Sequence, residues 1–148
     1  MSSPVSSDPS VLSSARWFWW IAGLSLVNLF LFYSGSNTSF VVGLAMTAVA
    51  SVVFAEPMAV GLILASLVIG FYVVIGYFGQ REKAWAFYLG LGIYVIDALL
   101  YAYVEDWMPV VFHAYVIYHL FKGISALRNR GNAASAPVEQ AQTPEAGA

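Results

Sequence analysis

Five apolar runs dominate the chain, at residues 17–33, 40–55, 58–78, 84–104 and 110–127, and almost no charge falls inside them. At about 1.5 Å of rise per residue, a helix of roughly twenty residues crosses the ~30 Å hydrocarbon core of a bilayer. Four of the runs approach or reach that length, and the run at 40–55 falls short. Backbone N–H and C=O groups have no water to bond in lipid, so each run must close its own hydrogen bonds as a helix. The fold class predicted is an all-α polytopic membrane protein. It is a four-helix transmembrane bundle with an extra short apolar helix, interfacial or re-entrant, or alternatively a bundle of five spans.

Composition points the same way. Of 148 residues, 60% are hydrophobic and 9% charged, whereas about a quarter of the residues in a soluble domain are charged. The lipid bilayer is therefore the first partner expected. There is no cysteine, which excludes disulfides, thiolate nucleophiles and Cys-ligated metal or iron–sulfur centres. The net charge of −2 comes without a basic tract, so no nucleic-acid partner is expected.

The domain organisation expected is one transmembrane helical domain over residues 16–128 between two disordered tails. Residues 1–15 are Ser-rich with Pro4 and Pro9, and residues 129–148 are rich in Ala, Gln, Glu and Pro, without apolar periodicity. Arg16 before the first run and Ser34-Gly35-Ser36 after it also fit a cleavable leader. The length of the run and Trp17, Trp19 and Trp20 at its start favour a membrane anchor instead. Within 58–78 the pairs Gly61/Ala65 and Ser66/Gly70 have the small-residue spacing that lets helices approach closely in lipid. In the short run, Gly43, Thr47 and Ser51 repeat every fourth residue.

Counting cations gives an orientation. If all five runs cross, Arg16 lies opposite Arg81, Lys83, Lys122, Arg128 and Arg130. If 40–55 does not cross, all six Lys and Arg residues share one face. Cationic flanks face the cytoplasm, so four spans with both termini cytoplasmic is the expected topology. Trp107 and the acidic residues Glu56, Glu105 and Asp106 then lie at the outer face.

An ionisable side chain inside a span costs about 2.5–3.5 kcal/mol on insertion scales, so it faces protein or water and takes a partner. Asp97 is such a residue. Tyr94 and Tyr101 lie near its face at helical spacing, each able to donate a hydroxyl. His113 and His119 on the last helix bracket its depth, and Asn28 lies at a similar depth on the first. These six residues are the candidate intramembrane polar site. Six positions separate the two histidines, about 120° around a helix, so they do not point at one spot.

Three readings fit the cluster: hydrogen-bonded glue between helices, a proton-linked or ligand-binding site, or a metal site drawing on Glu105 or Asp106. No His-x-x-Glu-His or His-Glu-x-x-His spacing supports the last, so neither a metal nor a cofactor is expected. Ser25, Ser51 and Ser66 lack the Gly-x-Ser-x-Gly setting of a nucleophile, and no catalytic motif marks the chain as an enzyme. Tyrosines in the last two runs could line a cavity for a flat lipophilic ligand, though such rings are more often interfacial or packed.

Arg16-Trp17-Phe18-Trp19-Trp20-Ile21-Ala22-Gly23-Leu24, the stretch from Trp85-Ala86-Phe87 to Asp97, and Phe112-His113-Ala114 resemble a group of small uncharacterised bacterial multi-pass inner-membrane proteins. The resemblance covers the membrane core, implies a cell-membrane location and brings no activity with it. Two functions are expected from the residues. One is a structural or accessory helix bundle that contacts itself, as a homo-oligomer, or a membrane-protein partner. The other is a small transporter or lipophilic-ligand-binding protein that uses Asp97 with a histidine.

Overall fold

The computed structural model describes residues 8–35, 44–54 and 58–135, and all the regular structure among them is helical. The helices are α1 (Pro9–Tyr33), α2 (Ala45–Val53), α3 (Met58–Gln80), α4 (Ala84–Tyr103) and α5 (Trp107–Ala134). Four of them, all but α2, are long and apolar enough to cross a membrane. Large side chains such as Leu67, Leu99 and Phe121 stand outward on these four helices. An apolar exterior of this extent needs an apolar solvent. The protein is a multi-pass membrane protein.

α1 begins eight residues before the Trp17 boundary expected from hydropathy, so residues 9–15 are helix and not disordered tail. The reason is local. Asp8 caps the helix by accepting the Ser10 N–H at 2.8 Å, and Pro9 occupies the first turn, where its missing N–H costs nothing. Val11, Ser14 and Ala15 then form a buried stripe of small side chains. α5 likewise runs past Leu127 to Ala134. The remaining tail residues, 1–7 and 136–148, lie outside the described residues, as do residues 40–43 and 55 of the short run and Glu56.

Both turns that join the long helices end in the same way. After α3, Glu82 N–H bonds Gly79 C=O and Lys83 N–H bonds Phe78 C=O; after α4, Glu105 N–H bonds Ala102 C=O and Asp106 N–H bonds Tyr101 C=O. This double closure puts the second residue past the helix in the left-handed region. Glu82 and Glu105 both have φ 58° there, a position that normally favours glycine.

Contacts at the two ends fix how the helices run. Asp8, Glu82 and Arg130 meet at one end, so the start of α1, the α3–α4 turn and the end of α5 lie together. At the opposite end, the Tyr33 hydroxyl and the backbone oxygens of Ala50 and Phe54 crowd Gly61, where a Cβ would stand 3.0 Å from each. α1 therefore arrives where α3 departs, and α2 makes no crossing between them. All six Lys and Arg residues fall in the half of the bundle that holds Asp8 and Glu82, hereafter the cationic end.

The interior differs between the halves. Toward the cationic end the axis is filled by Phe18, Phe87 and Ile75, all buried. Gly90 makes room for them, since a Cβ there would lie 2.5 Å from the Phe18 ring. In the other half α2 is wedged chiefly against α3, and the interior holds Ser25, Thr47, Ser51, Asp97 and His113, all buried.

Candidate functional site

α2 has nine residues, about 13 Å of helix. It starts inside the bundle, and its first N–H groups have no preceding turn to bond. Leu44, the capping residue, supplies no side-chain acceptor. Other helices supply them instead. Leu44 N–H donates to Ser25 Oγ of α1 at 3.1 Å, Ala45 N–H to Asp97 Oδ2 of α4 at 2.8 Å, and Met46 N–H to Asp97 Oδ1 at 2.8 Å. The Thr47 hydroxyl donates to Leu44 C=O at 2.7 Å. A carboxylate spanning two successive N–H groups also meets the positive end of the helix dipole, which favours its charge.

His113 of α5 completes the cluster. Its Nε2 lies 3.0 Å from Asp97 Oδ2, and its Nδ1 lies 2.8 Å from Pro109 C=O one turn back. Asp97 and His113 are both fully buried. The Tyr94 ring stacks on the imidazole with centroids 4.4 Å apart and planes 15° apart, and Tyr101 lies against it at 5.3 Å. The ring is thereby held in one orientation.

This geometry counts protons. A carbonyl oxygen can only accept, so Nδ1 carries a hydrogen. Nε2 then faces a carboxyl oxygen, and one proton must lie between the two for a hydrogen bond to exist. The pair is either imidazolium with carboxylate or imidazole with carboxylic acid. Both forms carry the same single proton and no net charge. An isolated buried ion costs several kcal/mol after relaxation, so a neutral pair with every polar atom engaged is the arrangement a membrane interior tolerates.

The structure thus brings Asp97, His113, Tyr94 and Tyr101 together and separates His119 from them. His119 is half-buried between α1 and α5, with Trp17 at 5.1 Å and Tyr115 at 4.6 Å between ring centroids. Six residues on from His113, it faces a different neighbour. Asn28 is half-buried on α1, one turn beyond Ser25. Among the described residues, no three His, Asp or Glu side chains gather as a metal site.

Two features were not among the residues expected. The first is the role of Ser25 and the start of α2. The signal for it was the shortness of the run at 40–55, because a helix that begins inside a bundle needs acceptors from elsewhere. The second is Tyr72 of α3, fully buried with its ring 6.3 Å from that of Tyr94. The hydroxyls of Tyr72 and Tyr94 have no hydrogen-bond partner among the described residues. Tyr101 stands within electrostatic reach of two carboxylates, Asp97 inside and Asp106 at the surface.

No family model, curated protein or solved structure matches the chain. The site is therefore read from its own chemistry.

Proposed function

We propose that the protein is a proton-linked membrane protein of the small transporter or ligand-binding class, in which one proton on the Asp97–His113 pair governs how α2 is held. The observation that carries this reading is the placement of His113 between two acceptors, with Nε2 3.0 Å from Asp97 Oδ2 and Nδ1 2.8 Å from Pro109 C=O. Removing that proton leaves a lone pair facing a carboxylate oxygen in a buried site. Adding a second creates a buried cation and weakens the carboxyl as an acceptor for Ala45 and Met46. α2 is docked most firmly in the one-proton state and loosens on either side of it.

The groups facing the pair set its access. Toward the opposite end stand Tyr101 and exposed Asp106, a polar way in. Beyond Tyr94 and Tyr72, toward the cationic end, Phe18, Phe87 and Ile75 block the axis with apolar side chains. The proton enters from the Asp106 side. With six cations at the other end, the positive-inside rule puts both termini in the cytoplasm and Asp106 outside.

Infrared difference spectroscopy on purified protein in bilayers tests this. A pH step should change a carboxyl C=O band that is missing in Asp97→Asn, with His113 nitrogen signals in NMR changing in step. The amide oxygen introduced by Asp97→Asn retains one acceptor for α2, so the variant should fold. If neither signal responds to pH and Asp97→Asn only lowers stability, the proton reading is wrong. The architectural alternative would then stand, and it has its own support in the full hydrogen bonding of both Asp97 oxygens. Because the chain lacks cysteine, single cysteines at Gln80 and Trp107 test the topology: labelling of Trp107→Cys from outside, but not Gln80→Cys, is expected.

A further inference from the structure

At the cationic end, well away from Asp97, a cavity of about 240 Å³ lies between the start of α4 and the end of α5, lined by Glu82, Ala84, Tyr88, Ile124, Leu127 and Arg128. Its lining holds one acid, Glu82, and one cation, Arg128. Glu82 is already satisfied, since Oε1 accepts the Asp8 N–H at 2.8 Å and Oε2 accepts Arg130 Nη1 at 2.8 Å. Arg128 is exposed and has no ion-pair partner among the described residues. The cavity therefore offers an anion one free guanidinium, whose planar fork suits a phosphate.

The walls and the level name the ligand more closely. Ile124, buried, and Leu127, half-buried, give the crevice an apolar wall, and exposed Trp85 and Tyr88 mark the interfacial level at which aromatic side chains gather. A ligand here has its anionic group at headgroup depth and its remainder against an apolar wall. We infer that this crevice binds the headgroup phosphate of an anionic membrane phospholipid, with Arg128 as its charged contact. The inference does not depend on the proton reading of Asp97.

Native mass spectrometry of the full chain in detergent, titrated with phosphatidylglycerol or phosphatidylcholine, tests it. The wild-type protein should retain phosphatidylglycerol in preference to phosphatidylcholine. Arg128→Gln should weaken phosphatidylglycerol binding about fivefold, the factor that corresponds to one surface cation. Arg128→Lys should recover part of that loss. Lys122→Gln, at a cation that is also exposed but outside the cavity, should leave binding unchanged. Equal losses in Lys122→Gln and Arg128→Gln would overturn the site in favour of diffuse attraction. Displacement of the lipid from wild-type protein by equimolar inorganic phosphate would overturn the lipid as its ligand, and that arm needs no variant to fold.

Discussion

Glu82 and Asp97 are built alike and placed in opposite surroundings. Each accepts a backbone N–H from the start of another helix, Asp8 of α1 for Glu82 and Ala45 with Met46 of α2 for Asp97. Each also meets a nitrogen of an α5 side chain, Arg130 Nη1 at 2.8 Å and His113 Nε2 at 3.0 Å. At the cationic end the side chains of the pair remain 32% and 24% exposed, whereas both members of the inner pair are at 0%. The partner differs accordingly. Arginine keeps its charge at any accessible pH, and water screens it. Histidine can pass its proton to the carboxyl group, so the inner pair can exist without separated charges where water is excluded. The same hydrogen-bonding plan thus serves as a solvated clasp at one end and as a fully buried joint inside.

The largest difference between the two should appear on truncating the α5 partner. His113→Ala strands a buried carboxyl group and should cost about 3–5 kcal/mol, whereas Arg130→Ala should cost about 1 kcal/mol or less. Unfolding in bicelles or mixed micelles measures both, and equal costs would erase the distinction. Asp97→Asn comes next. It leaves one α2 N–H without an acceptor and should cost about 1–3 kcal/mol. Hydrogen exchange should rise at Ala45 and Met46 in that variant and stay unchanged there in Glu82→Gln. A smaller contrast comes from salt. At 1 M the screening length falls to about 3 Å, so salt should weaken the contribution of Arg130 and leave that of His113 unaltered, as double-mutant cycles at low and high salt would record.

The apolar runs made the four long helices legible, because run length against bilayer thickness is a strong constraint. The cations gather as the shortness of the run at 40–55 implied: with α2 making no crossing, all six fall in one half of the bundle. Asp97 stood out because a lone carboxylate in an apolar run demands a partner, and the hairpin through Glu105 brought His113 within reach. The rest depended on relations that hydropathy does not encode. Asp8-Pro9 is a helix start, yet the serines around it mask the stripe of Val11, Ser14 and Ala15 that packs. Helical spacing and depth pair Asp97 with side chains, while two of its three partners are backbone N–H groups of α2. Tyr72 is on α3, and nothing along the chain connects it with Tyr94. His119 shares an approximate depth with Asp97 but not a direction, which the turn of the helix had already implied.

The smallest effect separates the two turns. Glu82 and Glu105 both adopt φ 58°, a conformation that costs a non-glycine residue about 1 kcal/mol or more. At Glu82 the side chain offsets that cost by holding Asp8 and Arg130. At exposed Glu105 no side-chain hydrogen bond or ion pair does so among the described residues. Glu105→Gly should therefore raise stability by about 0.5–1 kcal/mol. Glu82→Gly relieves the same backbone but gives up both contacts, so its net change should be near zero or unfavourable. Thermal unfolding of the two variants side by side measures the difference. If both glycines stabilise the protein equally, the carboxylate of Glu82 contributes nothing to joining α1, α3 and α5, and only Asp97 links helices as described.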